Sequence, residues 1–442
     1  MVLTGEPSLI YSHRIPNILR AEKSAVPYRF PLPTFSRSAR VLIVAYVILG
    51  VAIAGTITST IVFVLALLGV IKFRCSARLE QKTLAKLSAN LPPVSVLKPV
   101  HGLESRLEEN IESFYRQNYP AYEMLFAADE ADDAALPVIR EISERYPHIP
   151  TRILITGQPP WPSVLTYCYH RLTEIAAHDI LVTSDSDVEV GPNYLREVVP
   201  PLLDPQVGAV TCASRGKSAG GLWSAFNGIG MSAEFVAGVL IANLLEGMKF
   251  GLGPTVAHTK ESIARIGGYA AIGDYLSTDF AVGNFIYRAG YKVVLSGNVV
   301  DHISPIMTFR QMWGRQLRWA MGTRYSRPKG HLGEGLTFAV PFGILGLIGA
   351  AMLGHPMLGV ALLAASLVNR MAECWIVGWW GVRDPAARWG ALLYPLRDLH
   401  GFIVWCASYL SKRTLWRGNN YELLEGGRLV ARRANGTIVN PL

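Results

Sequence analysis

The stretch Asp179-Ile180-Leu181-Val182-Thr183-Ser184-Asp185-Ser186-Asp187 joins a short apolar run to two aspartates. The apolar run predicts a buried β-strand that ends just before the acidic pair. Residues two apart in extended backbone point to the same side, so the carboxylates of Asp185 and Asp187 can face one cation together. Carboxylate oxygens suit Mg²⁺ and Mn²⁺, and beside membrane-grade apolar runs such a cation typically serves to bind a nucleotide diphosphate. The alternative is a purely structural role for one carboxylate, in a turn or as a helix cap.

The sequence around this stretch alternates short β-branched runs with helical patterns from about residue 94 to residue 310. This alternation is typical of an α/β domain with a largely parallel sheet. In open α/β sheets, ligands bind beyond the carboxyl ends of the strands, so acidic residues at those ends become candidate site residues. The predicted strands are 94–97, 123–127, 151–155, 180–183, 208–212 and 292–295, and helices are predicted near 103–115 and 136–146.

The composition points to membrane segments together with a folded domain. The 442 residues are 50% hydrophobic and only 17% charged, which departs from soluble averages. The net charge of +9 is spread along the chain without a base-stacking or basic-helix motif, so we expect no nucleic-acid partner and assign it to anionic lipid and phosphate groups. The five cysteines are widely separated and contain no C-x-x-C pair, which indicates neither zinc nor a disulfide scaffold.

A first membrane helix is predicted at 41–71, where no Asp, Glu, Lys or Arg occurs. Roughly 20 residues of helix suffice to span a bilayer, so this run is long enough. Residues 1–40 are polar and contain prolines, which predicts a flexible tail rather than a cleaved signal. Basic residues flank the span on both sides, with a slight excess after it. The positive-inside rule therefore leans towards a cytoplasmic location for residues 72 onward.

A second apolar region lies at 335–382 and predicts two transmembrane helices. Arg370 and Glu373 are three residues apart, so on a helix they share one face, where they can pair or look into a polar crevice. The segment 389–410 is also apolar but contains charged residues, and two readings stay open: a third span or an interfacial helix.

The remaining boundaries follow from these segments. The predicted α/β catalytic domain covers 72–310, an interfacial amphipathic segment covers 311–333, and a C-terminal tail covers 411–442.

Two further aspartates are candidates for chemistry. Asp129 opens the acidic stretch 129–133 after the second predicted strand, where it could accept hydrogen bonds from a nucleotide base or ribose, or could simply belong to a helix N-terminus. Asp279 begins a predicted helix after a Gly-rich approach. A general base needs a carboxylate beside an acceptor hydroxyl, and Asp279 could supply it, although a cap role is the alternative and Asp274 could compete.

Arg315, Arg318 and Trp319 form the sequence Arg-x-x-Arg-Trp just before the second membrane region. Arginine binds phosphate through its planar fork, and its fixed charge can stabilise a departing diphosphate. Trp319 offers a flat wall for a sugar ring. An amphipathic interfacial helix would also contain Arg and Trp, so that reading stays open.

Taken together, an early Asp, Asp-x-Asp at a strand end, a late Asp and Arg-x-x-Arg-Trp, between membrane helices, resemble the inverting membrane glycosyltransferases of the ceramide glucosyltransferase family. The likeness extends to the opening strand at 94–100 and to 119–123. It also includes the C-terminal motif Trp416-Arg417-Gly418 followed by Tyr421. It covers about residues 41 to 430.

The resemblance implies a GT-A fold (Rossmann-like, mainly parallel sheet), a UDP-sugar donor, Mg²⁺ or Mn²⁺, and a lipid hydroxyl acceptor such as ceramide, with glucose as the expected sugar. It implies that Asp185 and Asp187 hold the metal and that Asp279 is the base. The donor-binding residues that it implies are Lys98, Asp129, Arg315, Arg318 and Trp319.

Other interpretations share parts of this pattern. Bacterial hopanoid glycosyltransferases, which would use UDP-N-acetylglucosamine, have the same motif set. We accordingly expect this chain to be an integral protein of a bacterial inner membrane. Processive polysaccharide synthases share the acidic motifs but usually have Gln at the position of Arg315 and more spans. A membrane receptor or scaffold that binds nucleotide without turnover is the non-enzymatic alternative.

Overall fold

The computed structural model describes residues 37–84, 91–416 and 419–432. Most of the tail predicted at 1–40 lies outside these residues, as do Arg417 and Gly418 of the C-terminal motif. The strands are β1 (Val94–Pro99), β2 (Tyr122–Ala128), β3 (Thr151–Ile155), β4 (Ile180–Thr183), β5 (Val188–Glu189), β6 (Val207–Ser218), β7 (Val256–Thr259), β8 (Lys292–Ser304), β9 (Arg413–Trp416), β10 (Asn419–Leu424) and β11 (Arg428–Arg432).

The α-helices alternate with these strands in the first part of the chain and follow them in the second. They are α1 (Arg37–Leu84), α2 (Leu107–Tyr115), α3 (Ala135–Arg145), α4 (Val164–Ile175), α5 (Tyr194–Val198), α6 (Leu222–Gly230), α7 (Val236–Glu246), α8 (Lys260–Arg265), α9 (Thr278–Arg288), α10 (Phe309–Ser326), α11 (Pro328–Glu334), α12 (Val340–Met352), α13 (Pro356–Glu373), α14 (Ala387–Gly390) and α15 (Tyr394–Ser408).

The central sheet has eight strands in the order β3-β2-β1-β4-β7-β6-β8-β5. Strands β1 to β4 are parallel to one another, whereas β7 runs antiparallel to both β4 and β6. The predicted α/β class with a mainly parallel sheet is confirmed, and all six predicted strands are present. Strands β5 and β7 were not predicted, and β8 is much longer than the run 292–295. The carboxyl ends of β1, β2 and β4 meet at one edge, as βαβ geometry requires.

Both faces of the sheet are covered by apolar helix faces. On one face Ile111, Phe114 and Ile139 of α2 and α3 are buried. On the other face, Leu172 of α4 and Leu240 of α7 are buried. Each such side chain contributes roughly 1.5–3 kcal/mol when it leaves water, so the sheet forms a rigid platform for its loops.

Helix α1 connects this domain to the membrane. Its C-terminal half supplies Val70 and Phe73 to the same buried cluster as α7, and Glu80 accepts a hydrogen bond from the backbone N–H of Gly297 in β8 at 2.8 Å. The predicted transmembrane helix at 41–71 therefore continues without a break into a helix that contacts the catalytic domain.

In the part of the chain that the structure describes, three helical stretches are long and apolar enough to cross a membrane: Ser38–Lys82, Leu222–Glu246 and Pro356–Gly381. The second, formed by α6, a π-helical turn at Met231–Phe235 and α7, lies inside the range predicted as the catalytic domain and was not expected. Helix α12 is apolar but shorter. Among the described residues, the segment 389–410 yields only the short helices α14 and α15, neither of which has the length of a span.

The C-terminal helices are joined by buried charges. Arg370 pairs with Glu373 at 2.7 Å, which confirms the pairing expected from their spacing. Arg397 of α15 contacts Glu234 in the π-helical turn at 3.0 Å, and Asp398 accepts hydrogen bonds from the first N–H groups of α12. These contacts connect α12, α13 and α15 to the helix Leu222–Glu246.

The segment predicted as interfacial at 311–333 consists of α10 and α11. Thr308 and Gln311 form a reciprocal capping box that starts α10, and Pro328 starts α11. The segment predicted as a C-terminal tail is more ordered than expected: β9, β10 and β11 form a separate three-stranded antiparallel sheet.

Candidate active site

The loop after β4 brings the acidic pair to the carboxyl edge of the sheet, beside the end of β1. Lys98 of β1 is fully buried, and its Nζ donates to the backbone oxygen of Asp185 at 2.8 Å. The same Nζ lies 3.6 Å from the ring centroid of Phe114. Burial lowers the pKa of Lys98 to about 7, against the attraction of Asp185 and Asp187. The enclosed ammonium thus holds the backbone of the acidic loop.

Asp185 lies against aromatic side chains from two helical segments. Its Oδ1 accepts a hydrogen bond from the hydroxyl of Tyr169 at 3.4 Å, and Tyr169 stacks on Tyr269 with ring centroids 5.4 Å apart. Burial raises the pKa of Asp185 to about 7, and repulsion from Asp187 adds to this shift. The surroundings of Asp185 therefore disfavour its charged form.

Asp187 is paired with His302 of β8, whose Nε2 lies 3.1 Å from Oδ2 of Asp187. Burial alone would raise the pKa of Asp187, but the charge of His302 and its hydrogen bond, with help from Arg315 and Lys98, hold it below its usual value. The other oxygen, Oδ1, is buried and has no hydrogen-bond partner within the described residues. Such an oxygen is available to a ligand.

Asp279 approaches the acidic pair from the N-terminus of α9. A Cβ placed on Gly253 would lie 3.4 Å from Oδ2 of Asp185 and 3.5 Å from Oδ2 of Asp279, so both carboxylates border the same small space. Burial raises the pKa of Asp279, although backbone N–H groups of Phe280 and Gly253 act in the opposite direction. A carboxylate with a raised pKa beside a second carboxylate is suited to accept a proton.

Arg315 completes the site from α10. Its positive charge acts on Asp187 and on His302, and its Nη1 is buried without a hydrogen-bond partner in the described part of the chain. Trp319 lies one turn further on, with the guanidinium of Arg315 5.5 Å from its ring centroid and with 39% of its surface exposed. Arg318 is half-buried on the same helix.

The position of α10 is fixed by polar contacts to the domain. Gln316 is buried and donates to Asn227 of α6 at 3.0 Å, and Asn227 donates to the hydroxyl of Ser304 at the end of β8 at 3.0 Å. The Asp-x-Asp pair, Asp279 and Arg315 therefore meet in one site, although they are distant in sequence.

Two residues of this site were not predicted as members. His302 is a lone histidine in β8, and a lone histidine at such a position is more often structural than part of a metal site. Glu104, in the loop after β1, acts electrostatically on Asp187, and burial raises its own pKa. The sequence signal that pointed to Glu104 was its position just past the end of a strand.

Asp129 lies at the end of β2, nearer the outer part of the same edge. His101 Nδ1 is 3.7 Å from its Oδ1 and 3.7 Å from Oδ2 of Asp133. Asp133 accepts hydrogen bonds from the backbone N–H groups of Gly102 and Ala135, so the role at the start of α3 belongs to Asp133. Asp129 keeps a buried Oδ1 without a hydrogen-bond partner among the described residues.

Two other polar residues near the site have structural contacts. His258 is fully buried and bonds to Tyr269 through Nε2 at 2.7 Å. Asp274, the possible competitor of Asp279, pairs with Arg428 of β11 at 3.1 Å.

The residues at the acidic pair fit a divalent cation. Asp185 and Asp187 offer hard oxygen ligands, one of them buried and unbonded. Burial, with repulsion from Asp187, raises the pKa of Asp185, and a cation bound beside it would favour its charged form. Oxygen donors of this kind suit Mg²⁺ or Mn²⁺.

Comparisons with known proteins identify the family of this chain. A model of glycosyl transferase family 21 matches residues 57–429. Ceramide glucosyltransferase 1 of Caenorhabditis elegans is 24% identical over 349 residues, which cover 77% of this chain and 73% of the relative. Ceramide glucosyltransferase 3 of the same organism is 25% identical over 395 residues, covering 86% and 82%.

Solved structures with a related arrangement include a mannosyltransferase from Pyrobaculum calidifontis in complex with GDP-Man and Mn²⁺. It has a TM-score of 0.47 and 17% identity, and the match covers 80% of this chain and 99% of that one. Glucosyl-3-phosphoglycerate synthase from Mycobacterium tuberculosis, in complex with Mn²⁺, UDP and phosphoglyceric acid, has a TM-score of 0.36 and 18% identity, with coverage of 52% and 76%.

The family model covers most of the chain, and the relatives named above carry the name that the motif order suggested. The resemblance to ceramide glucosyltransferases is therefore confirmed: this chain is a glycosyltransferase and belongs to glycosyl transferase family 21.

Proposed function

We propose that this chain transfers a sugar, glucose in the first instance, from a UDP-sugar to the hydroxyl of a membrane lipid such as ceramide, with inversion at the anomeric carbon. The observation that carries the proposal is the shared space at Gly253, bordered by Asp185 and Asp279. A donor-binding carboxylate and a candidate base are thus adjacent. The names of the two nematode relatives support glucose and ceramide as the first pair to test.

On the donor side, Asp185 and Asp187 would hold Mg²⁺ or Mn²⁺, and the cation would neutralise charge on the diphosphate. Asp129, with its unbonded oxygen, would accept hydrogen bonds from the uridine. Lys98, expected to bind the donor, acts in this proposal through the backbone of Asp185, to which it donates.

Arg315 would face the leaving diphosphate with its buried, unbonded Nη1. A guanidinium is always charged and cannot take up the proton released in the reaction, so it stabilises the leaving group throughout. Arg318 and Trp319 would complete this end of the site, with Trp319 as a wall for the sugar or the lipid.

On the acceptor side, Asp279 would remove the proton of the lipid hydroxyl. The hydroxyl oxygen forms a bond to the anomeric carbon while the bond from that carbon to the UDP oxygen breaks, and UDP leaves with the electron pair. The proton remains on Asp279, whose raised pKa favours its retention until product release. One displacement inverts the configuration.

The membrane helices explain how such an acceptor is reached. A lipid does not readily leave the bilayer, and the described site lies on a domain joined to apolar helices before, within and after it. We propose that the domain faces the cytoplasm, where UDP-sugars are available, in keeping with the basic residues that follow the first span.

The test uses the purified full chain in lipid nanodiscs with UDP-glucose and ceramide, and measures UDP release together with the mass of the glycolipid. Asp279→Asn should lower turnover by about 10² to 10⁴ while UDP binding persists. Asp132→Asn, an exposed carboxylate, is the matched control and should behave as wild type. Product formed only with UDP-N-acetylglucosamine and a hopanoid would replace the substrates proposed, and unchanged turnover in Asp279→Asn would remove the base.

A further inference from the structure

The C-terminal sheet lies against two segments that lead into the active site. Its buried residues Tyr421, Leu423 and Leu429 form one apolar cluster with Met321 of α10, and Leu276 packs against the same cluster. Leu276 is three residues before Asp279, and Leu317, also in contact with this cluster, is two residues after Arg315. The sheet therefore touches the segments that carry the candidate base and the candidate diphosphate ligand.

Backbone hydrogen bonds join the sheet to the first of these segments. The N–H of Leu276 donates to the carbonyl of Gly427 at 3.0 Å, and the N–H of Leu429 donates to the carbonyl of Asp274. Tyr275 and Arg428 form an antiparallel bridge between these two bonds. The segment 274–276 is in effect paired with β11, and the exposed pair of Arg428 with Asp274 adds little to this attachment.

Gly427 touches the second segment as well. Its φ is +86°, and a Cβ at this position would lie 2.5 Å from Oγ of Ser326, the last residue of α10. Gly427 therefore contacts the segment before Asp279 through its carbonyl and the end of α10 through its Cα.

We propose that the C-terminal sheet is part of the catalytic apparatus, and that Gly427 is a positioning residue that fixes Asp279 relative to Arg315. The proposal rests on the function proposed above for those two residues. Helix α10 is a rigid rod, and it also meets the segment before Asp279 directly, because a Cβ on Gly322 would lie 3.2 Å from Oγ of Ser277. The C-terminal sheet contacts both α10 and the segment before Asp279, next to the place where these two meet.

The matched pair of variants is Gly427→Ala and Gly426→Ala. Both glycines have positive φ, +86° and +80°, so alanine brings a similar backbone penalty at each. They differ in space: a Cβ on Gly426 meets nothing within 4 Å, whereas one on Gly427 meets Ser326. Gly427→Ala should lower kcat by about tenfold or more, because small displacements of reacting groups are costly. Gly426→Ala should stay within about twofold of wild type.

A second-site variant separates displacement from general damage. Ser326→Ala removes the Oγ that the new methyl group would strike and leaves Cβ at an ordinary distance of 3.6 Å. The double variant Gly427→Ala/Ser326→Ala should recover most of the lost kcat. In all these variants the KM for UDP-glucose and the binding of UDP should stay near wild type, since the displacement falls on the segment 274–280, which carries Asp279, while Asp185 and Asp187 keep their own contacts.

A readout without turnover keeps the proposal independent of the substrate assignment. Hydrogen–deuterium exchange in nanodiscs should show faster exchange across 274–280 in Gly427→Ala and wild-type exchange in the double variant. If wild-type protein turns over no UDP-sugar but this exchange pattern holds, the proposed function fails and the coupling stands. Unchanged exchange, equal kcat in the two single variants, or loss of UDP binding together with kcat would overturn the positioning role.

Discussion

Acidification should destabilise the fold through His258, which lies in the core behind the acidic pair. His258 Nδ1 is 3.2 Å from the carbonyl oxygen of Thr259 and Nε2 is 2.7 Å from the hydroxyl of Tyr269. A neutral ring with its proton on Nδ1 satisfies both, since Nδ1–H donates to the carbonyl and Nε2 accepts from the hydroxyl. A second proton would remove that acceptor. Tyr269 stacks on Tyr169, which donates to Asp185, so the disturbance would reach the site.

The size of the effect follows from the pKa of His258. Burial lowers this pKa from 6.5 to about 4. Above pH 6.5 neither the folded nor the unfolded chain binds the proton, and the contribution to stability is fully present. As the pH falls from 6.5 towards 4, the unfolded chain gains a proton that the folded chain resists, so stability is lost. At pH 5 the loss amounts to about 2 kcal/mol, and it approaches about 3 kcal/mol at lower pH.

The assay is the melting temperature in detergent from pH 7.5 to pH 4.5, for wild type and for His258→Gln. Asp185 titrates over the same range with the opposite sign, because its pKa is raised, so the difference between the two proteins isolates His258. Wild type should lose about 4 °C more than the variant between pH 7.5 and pH 5, at roughly 2 °C per kcal/mol. Parallel curves for the two proteins would refute the buried neutral histidine.

Three further predictions concern the site and the helices. Chelation of divalent cations should abolish activity, Mg²⁺ or Mn²⁺ should restore it, and Asp187→Asn should need more cation; an enzyme indifferent to EDTA would count against the acidic pair. Arg315→Lys should lower kcat by roughly 10² while UDP still binds, because lysine lacks the planar fork, and wild-type kcat would exclude a leaving-group role. Arg370→Met should lower the free energy of unfolding by about 3–5 kcal/mol, because it leaves Glu373 buried and without its ion-pair partner. The measurement is the melting temperature, which the exposed Arg388→Met should leave unchanged. Equal melting temperatures for the two variants would show that the pair is unimportant.

Local patterns predicted the parts of the fold that local forces determine. Strands β3 and β4 have the predicted bounds, because each is a short run rich in β-branched residues that is bounded by polar or turn residues. The pairing of Arg370 with Glu373 follows from three-residue spacing on one helix. Strand β7 escaped prediction, since its residues pair antiparallel with residues at least 73 positions away in β4 and at least 45 positions away in β6, and only once the fold has formed.

The sequence predicted the order of the candidate site residues along the chain, but not which of them contact one another. Spacing cannot show that Glu104 and His302 approach Asp187, because that proximity depends on sheet register and on the pairing of β5 with β8. The span Leu222–Glu246 was missed because Asn227, Ser232 and Glu234 interrupt its apolar pattern. In the fold these polar groups bond to Ser304, to the backbone of Gly216 and to Arg397, which removes their cost in an apolar surrounding.

The location of Leu222–Glu246 has a practical consequence for handling this enzyme. The helix enters from β6 and leaves towards β7, two neighbouring strands of the central sheet, so trimming the first span and everything after α10 would still leave a 25-residue apolar rod in the middle of the remainder. Its Glu234 would also lose the arginine that neutralises it. A shortened version of the catalytic half is therefore expected to precipitate in water, because an apolar helix of spanning length lies between two strands of its sheet.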